Sequence, residues 1–524
     1  MDIPQLNRRH FLALSAGAVV FTAACTKSGT STVSSPPSTI GATDPIVGQL
    51  EASRASAGAT VVSRTLTAAP VTLDFAGRQA PTWAYGPAAG GPEIRAAVGD
   101  ILDVKLANAL PAETTIHWHG LSLRNDMDGV HDLTQAPIAP GGDFTYRFAL
   151  AHPGTYWFHP HMGLQLDRGL YAPLIIEDPN EKNAADVDQV IILDDWLDGI
   201  SGTPDDAFKT LTSMGMAGMD MGGGSNMGGM DMSGAGESST ATTGAPMTMA
   251  RSDALGGDAG DVAYAFHLIN GRPPEDRATF AVAPGAKVRL RIINAGSDTA
   301  YRFAVGGHRL TVTHTDGYPV QPVEVDTILI GMGERYDVVV QAKSGAWPVV
   351  AAAEGKSQLA AAVLRTTDAS VSAAPDPAVR PAELDGQMLS LANLKATEAV
   401  RLSADDPDMT TDLALTGSMA GYTWGINGKT FADAAPIIVD QGQRVRLTMH
   451  NTTTMFHPMH LHGHTFRVGT AADGPRKDTV IIKPNETVSV DFVADNPGRW
   501  MLHCHNTYHL ESGMAAPLSY RAST

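Results

Sequence analysis

Cysteine is nearly absent from this 524-residue chain: Cys25 and Cys504 are the only two. A disulfide framework is therefore excluded as its means of stabilisation. Basic residues are also scarce, 37 Lys and Arg against 55 Asp and Glu. The resulting net charge of −18 argues against a nucleic-acid partner and suits cationic substrates. The one apolar run near the start, Leu12 to Ala24, is too short to cross a bilayer comfortably. It follows Asn7-Arg8-Arg9-His10-Phe11-Leu12, which resembles a twin-arginine export signal, and ends in Thr22-Ala23-Ala24-Cys25, which resembles a lipobox. Residues 1–24 are expected to be a signal peptide, and Cys25 the lipidated first residue of an exported, membrane-anchored protein of the cell envelope. Residues 25–58, rich in Ser, Thr, Pro and Gly, read as a flexible tether.

What the chain does have is repetition. Gly99 is followed by Leu102, Val104, Leu106 and then Asn108; Gly285 by Val288, Leu290, Ile292 and Asn294; Gly442 by Val445, Leu447, Met449 and Asn451. Apolar residues at alternate positions make a strand with one buried face, and the asparagine suits the turn that ends it. Three copies at identical offsets predict an all-β chain of three tandem β-sandwich domains, here bounded as 59–180, 181–370 and 371–524. A second repeat separates the copies. Pro153-Gly154-Thr155-Tyr156 leads to His159-Pro160-His161, and Pro497-Gly498-Arg499-Trp500 leads at the same offset to His503-Cys504-His505. In the middle copy Val350 and Ala352 hold the histidine offsets, so that domain is expected to keep the fold without the site, and His267, His308 and His314 to be structural. Within the middle domain, residues 214–249 carry nine methionines, from Met214 to Met249, among Gly, Ser, Asp and Thr. With no periodic apolar face this insertion reads as a mobile loop, either a lure for a soft metal ion or a low-complexity linker.

Ten of the eighteen histidines fall into four clusters: His117-Trp118-His119, His159-Pro160-His161, His457-Pro458-Met459-His460-Leu461-His462, and His503-Cys504-His505 with His509. One His-x-His is a weak signal, because imidazoles on one strand face often meet only solvent. Four clusters at matched positions in two homologous domains are a strong one. A zinc site needs about four ligands and would leave the rest unexplained. Cys504 adds a thiolate, and Met514 a thioether, beside His509, a donor set that suits copper in one-electron chemistry. His503 and His505 flank the cysteine and point away from it, toward a second site.

The four clusters, together with Gly333-Glu334-Arg335-Tyr336-Asp337 and Asn496-Pro497-Gly498, resemble the signature of three-domain multicopper oxidases over nearly the whole mature chain. The export signal and the Met-rich insertion make it most similar to the actinobacterial cell-envelope members linked to copper resistance. The resemblance implies cupredoxin-like Greek-key sandwiches and four copper ions. It implies His457, Cys504, His509 and Met514 on a type 1 copper, and His117 and His460 on a type 2 copper. His119, His159 and His505 would hold one type 3 copper, and His161, His462 and His503 the other. Oxidation of substrate one electron at a time, with Cys504, His503 and His505 as the link between sites, would drive four-electron reduction of dioxygen to water. Asp128, eleven residues after His117, matches a carboxylate beside the cluster that relays protons or holds a histidine. Cu(I) is the favoured substrate, with Fe(II) or phenols able to share the same sites; the alternatives are a general laccase-like phenol oxidase and a copper-sequestering protein without turnover. Metal-oxidising relatives place an acid where Thr453 stands here, so a cuprous-ion site of that design is incomplete. A monomer is the family default.

Overall fold

A computed structural model describes residues 38–522, apart from 57, 182–184, 218–247, 249 and 370–372. The twin-arginine-like start, Cys25 and all the insertion's methionines except Met214 and Met216 lie outside the described residues. Three two-sheet units follow one another. In the first, a sheet ordered Arg78–Ala84, Val61–Phe75, Ile101–Asn108, Asp143–Ala149 faces one ordered Ile94–Ala97, Ala172–Glu177, Gly154–His159, His117–His119. The second and third units each pair a six-stranded with a five-stranded sheet. The chain is all-β with three cupredoxin-like sandwiches in tandem.

The repeated strands Ile101–Asn108, Lys287–Asn294 and Arg444–Asn451 occupy equivalent places, each running parallel to the first long strand of its own unit. Each is entered through its glycine, at φ +90°, +74° and +84°, a left-handed conformation that other residues rarely adopt. The asparagine at the far end does more than turn the chain. Asn294 Nδ2 donates to Thr299 O (2.9 Å) and to Ile330 O (3.0 Å) of the facing sheet, while its Oδ1 accepts from Gly296 N (3.0 Å). Asn108 and Asn451 repeat this pattern, to Ala112 and Ile138 and to Met455 and Ile482. Asn294 and Asn451 thus staple one sheet of their sandwich to the other, while Asn108 ties its strand end to the loops at Ala112 and Ile138.

The alternation expected of these strands holds in the outer domains and fails in the middle one, where Arg289 and Arg291 are buried on the second face. They grip Asp337, Glu181 and Asp188, and Arg291 Nη1 donates to Thr155 Oγ1 of the first domain (3.0 Å), so that face is an interdomain contact. The first and third domains share one continuous apolar core, from Leu66 and Trp118 to Trp424 and Leu518, and the middle domain has its own. His267, His308 and His314 all have protein partners: His267 Nδ1 lies 2.8 Å from Tyr301 Oη, His308 Nδ1 2.8 Å from Gly306 O, and His314 Nδ1 3.0 Å from Thr313 Oγ1.

Two expectations need correction. The stretch 25–58 is not all tether: Pro45–Arg54 is a helix capped by Asp44, Val47 is buried, and Ile40 N donates to Tyr520 O (2.8 Å) of the third domain. A capping aspartate followed by proline at the first helical position starts a helix even in polar company. The insertion 214–249 is not wholly a loop either, because the helix Pro204–Ala217 runs through Met214 and Met216. It starts on a reciprocal cap, Thr203 Oγ1 accepting from Asp206 N (3.1 Å) and Asp206 Oδ2 from Thr203 N (3.3 Å), and buries Ala207 and Leu211. Among the described residues no helix is long and apolar enough to cross a membrane.

Candidate metal centre

The four histidine clusters converge in two buried groups. His117–His119 pairs with Gly154–His159 in the first domain, and His457–Leu461 with Arg499–Cys504 in the third. These sheet edges bring together donor atoms lying within 4.8 Å of one another as His117/His460/His462, His161/His462/His503, His117/His119/His159, His119/His460/Asp478 and, separately, His457/Cys504/His509. His505 joins the first group by its ring, 4.9 Å from that of His119 and 5.3 Å from that of His159. All ten histidines, Cys504 and Met514 are buried.

The hydrogen bonds show which ring nitrogens face inward. His117, His159, His460 and His503 each hold Nδ1 2.9 Å from a backbone carbonyl, of Asp128, Pro160, Asp478 and Cys504 respectively. A carbonyl only accepts, so Nδ1 carries the proton and Nε2 the lone pair. The Nε2 atoms of His117, His159, His161 and His460 have no protein partner although buried, and neither nitrogen of His505 has one. Burial and the neighbouring imidazoles hold His159, His161, His462 and His505 well below the usual histidine range, so these rings are neutral at pH 7. Buried neutral imidazoles that turn ring nitrogens without a partner toward one another are the arrangement of a metal pocket.

Two aspartates tie the halves together with a two-fold likeness. Asp128 accepts from His117 through its carbonyl, and its carboxylate Oδ2 lies 3.0 Å from Nδ1 of His462 in the third domain. Asp478 accepts from His460 through its carbonyl, and its Oδ1 lies 3.1 Å from Nε2 of His119 in the first domain. His117 stacks on His462 with centroids 3.7 Å apart, and His119 on His460 at 3.8 Å. Asp128 thus lies within hydrogen-bond reach of both His117 and His462. Asp478 was missed, since no spacing relates it to a histidine cluster. The signal that could have found it is the duplication itself, which requires a third-domain counterpart to Asp128.

The smaller group surrounds Cys504. Its Sγ lies 3.6 Å from Nδ1 of both His457 and His509, whose Nδ1 atoms are 3.1 Å apart. Burial pushes the thiol up, so a thiolate here calls for a cation beside it. Thr453 hydroxyl donates to Asn451 Oδ1 (2.8 Å) and so accepts from His457 Nε2 (2.8 Å), which turns the Nδ1 lone pair toward the sulfur. Cys504 N donates to Met514 O (3.0 Å), holding Met514 at the same turn. Trp424 packs on His509 with centroids 4.4 Å apart. The other nitrogen of His509, Nε2, lies 3.9 Å from Asp261 Oδ2, beyond hydrogen-bond reach, and that oxygen accepts from Tyr422 Oη (3.1 Å). Sequence reasoning missed Asp261 as well, because it reaches His509 from the middle domain. Met455 is buried in the core.

A cavity of about 380 Å³ opens onto the larger group, with His159, His161, His503 and His505 among its walls and Glu511 and His131 also lining it. Burial raises the Glu511 carboxyl above its usual range.

Family profiles described as multicopper oxidase match residues 67–181, 240–371 and 405–523. The chain is 47% identical over 473 residues to the multicopper oxidase MmcO of Mycobacterium tuberculosis, covering 90% of this chain and 89% of that one. It is 28% identical to copper resistance protein A of Pseudomonas syringae pv. tomato, over 86% of this chain and 91% of that one. The laccase from Botrytis aclada superposes with a TM-score of 0.71 at 26% identity, covering 89% of this chain and 88% of that one. With buried donor sets that suit copper and domains that match throughout, the chain belongs to the multicopper oxidase family, oxidoreductases that use copper ions and take dioxygen as electron acceptor.

Proposed function

We propose that this protein oxidises Cu(I) to Cu(II) at the expense of dioxygen, as an exported enzyme of copper defence, with Fe(II) and phenols as further substrates. Four copper ions are assigned: one held by His457, Cys504, His509 and Met514, one by His117 and His460, and two by His119/His159/His505 and His161/His462/His503. Copper so bound supplies one-electron redox steps and, as a set of four, the four electrons that dioxygen needs. The protein's own residues provide everything around that chemistry. Carbonyls and carboxylates fix the imidazole tautomers, and Cys504 links the two groups covalently to its neighbours His503 and His505. Burial keeps water from the thiolate, and the cavity above His159 and His503 admits a small gas. Asp128 Oδ2 accepts the Nδ1 proton of His462, and its buried Oδ1 lies 3.3 Å from Nδ1 of His117, which sets the carboxylate between two rings of the group as a candidate proton relay.

The observation that carries the metal-ion substrate is Asp261 beside His509. It places an acid near the His509 ring nitrogen that faces away from Cys504, whereas the residue at the outer nitrogen of His457 is Thr453, which is not acidic. It also stands where the chain returns from the Met-rich segment: Thr248 N donates to Asp261 O (3.0 Å), and Asp258 bridges to Met455. The other flank of that segment is the helix whose Phe208 packs against Tyr422 and Tyr508. The described flanks of a thioether-rich stretch thus touch residues next to the Cys504 group, which favours delivery of a soft cation. The name of the Pseudomonas relative, a copper resistance protein, points the same way.

Oxygen uptake by copper-loaded protein given Cu(I), Fe(II) or dimethoxyphenol, with and without residues 218–247, tests this. Loss of Cu(I) turnover with phenol oxidation intact supports the reading. Equal rates for all three substrates in both proteins would leave a general laccase-like oxidase, and no uptake at all would leave a sequestering protein.

A further inference from the structure

We propose that the middle domain, whose histidine offsets hold Val350 and Ala352, nonetheless positions the larger cluster, and that Arg335 is the positioning residue. This rests on the multicopper reading above. Arg335 is fully buried and grips Asp478 with both ends of its fork, Nη1 to Oδ1 at 2.6 Å and Nη2 to Oδ2 at 2.7 Å. Its Nε donates to Thr155 O of the first domain (3.1 Å). Asp316, also from the middle domain, accepts through Oδ2 from Asp478 N and Thr479 N, both at 3.1 Å. Lys477, next to Asp478 in the chain, is 3.1 Å from both Asp316 and Glu334. Three domains therefore meet at one carboxylate, and the middle domain sets its orientation.

That orientation matters because of what the carboxylate touches. Asp478 Oδ1 meets His119 at Nε2, leaving Nδ1 as the nitrogen with no partner, the reverse of His117, His159 and His460. Only a ring protonated at Nε2 can donate to this oxygen, so the fork on Asp478 selects which nitrogen of His119 faces the cluster. The Asp478 carbonyl fixes His460 at the same time. First-domain backbone also leaves room for the fork: a Cβ at Gly120 would stand 2.3 Å from Arg335 Nη2 and 2.7 Å from Asp478 Oδ2. An ordinary interdomain ion pair would need none of these contacts to imidazole. Lysine cannot replace this bidentate grip, having a point charge where the fork is planar.

The test compares copper-loaded wild type with Arg335→Met, Arg335→Lys and a control, Arg302→Met. Arg302 holds Glu354 in an equally bidentate pair (2.8 and 2.7 Å) elsewhere in the middle domain. Copper per chain is titrated against a competing chelator, spin count is read by electron paramagnetic resonance, and blue absorption reports the Cys504 site as an internal reference. Arg335→Met is expected to bind cluster copper about 10–100-fold more weakly and to alter the paramagnetic Cu(II) count, with blue absorption per chain retained. Arg335→Lys falls between it and wild type, and carries the test if the methionine variant does not fold. Wild-type copper affinity and spin count in both Arg335 variants, with thermal stability lowered only as in Arg302→Met, would overturn the proposal. Wild type that takes up copper at the Cys504 site alone would instead overturn the cluster reading beneath it.

Discussion

Gly333 offers a measurement of how tightly the middle domain walls the cluster. It has φ +83°, and a Cβ built on it would lie 2.7 Å from His505 Cδ2 and 3.0 Å from His119 Cε1. Ordinary van der Waals contact begins at 3.4 Å, so Gly333→Ala forces two imidazoles, or the turn itself, to retreat by 0.7 and 0.4 Å. The substitution also carries backbone strain, roughly 1–2 kcal/mol for a side chain in the left-handed region. Gly442→Ala separates the two effects, because Gly442 has φ +84° and nothing within 4 Å of its Cβ. In thermal melts Gly442→Ala is expected to lose the strain energy alone, and Gly333→Ala more, because the clash adds to it. A misplacement of 1 Å at a reacting centre costs on the order of 100-fold, so a shift of about half that lowers oxygen uptake on the order of tenfold in Gly333→Ala alone. Copper content and blue absorption are measured in the same samples, to separate lost metal from misplaced metal. Equal oxygen uptake by the two variants, both copper-replete, would refute the argument that this turn abuts the cluster.

Cys504→Ser removes the thiolate; blue absorption and substrate-driven oxygen uptake are expected to vanish, while copper held by the eight-histidine group remains in metal analysis. Asp261→Asn is expected to raise KM for Cu(I) and Fe(II) about tenfold, near 1.4 kcal/mol, and to leave phenol oxidation within twofold; equal effects on both would show that the carboxylate does not serve a cation. Stability should also depend on pH through His267. Burial, reinforced by Lys356, lowers it to about 3 in the fold, against roughly 6.5 unfolded. The unfolded chain therefore takes the proton first, and stability that is full above the unfolded value is lost as pH falls toward the folded one, by up to about 1.4 kcal/mol per unit. Denaturant melts of the metal-free protein between pH 7 and 4 should show a shallower decline for His267→Gln than for wild type.

Much of this arrangement was legible in the residues. The alternating strands with their glycine and asparagine ends predicted three sandwiches, because period-2 burial and turn chemistry are local properties. The His-x-His clusters announced themselves because strand neighbours at i and i+2 share a face. What stayed hidden depends on partners far along the chain. Asp478 and Asp261 are ordinary aspartates until a different domain brings a histidine to them, and nothing in Arg476-Lys477-Asp478-Thr479 marks one as special. The second buried face of Lys287–Asn294 was illegible for the same reason, since its arginines find their carboxylates across an interface. The helix Pro45–Arg54 was misread because composition outweighed one good cap.

The crossed aspartates have a consequence for how the protein comes into being. Asp128 completes a histidine of the third domain and Asp478 one of the first, so neither half contains a finished pocket. The ribosome must deliver the whole middle domain and nearly all of the third before the first domain's histidines meet their counterparts. Pairing over such sequence separation is slow and comes late in folding. Metal capture by the larger group therefore waits until the first and third domains have docked, and before that a nascent or half-folded chain offers its histidines only as loose, incomplete sites. Copper that the larger group keeps through a chelator wash, counted apart from the blue Cys504 site, would in turn report that the first and third domains have docked.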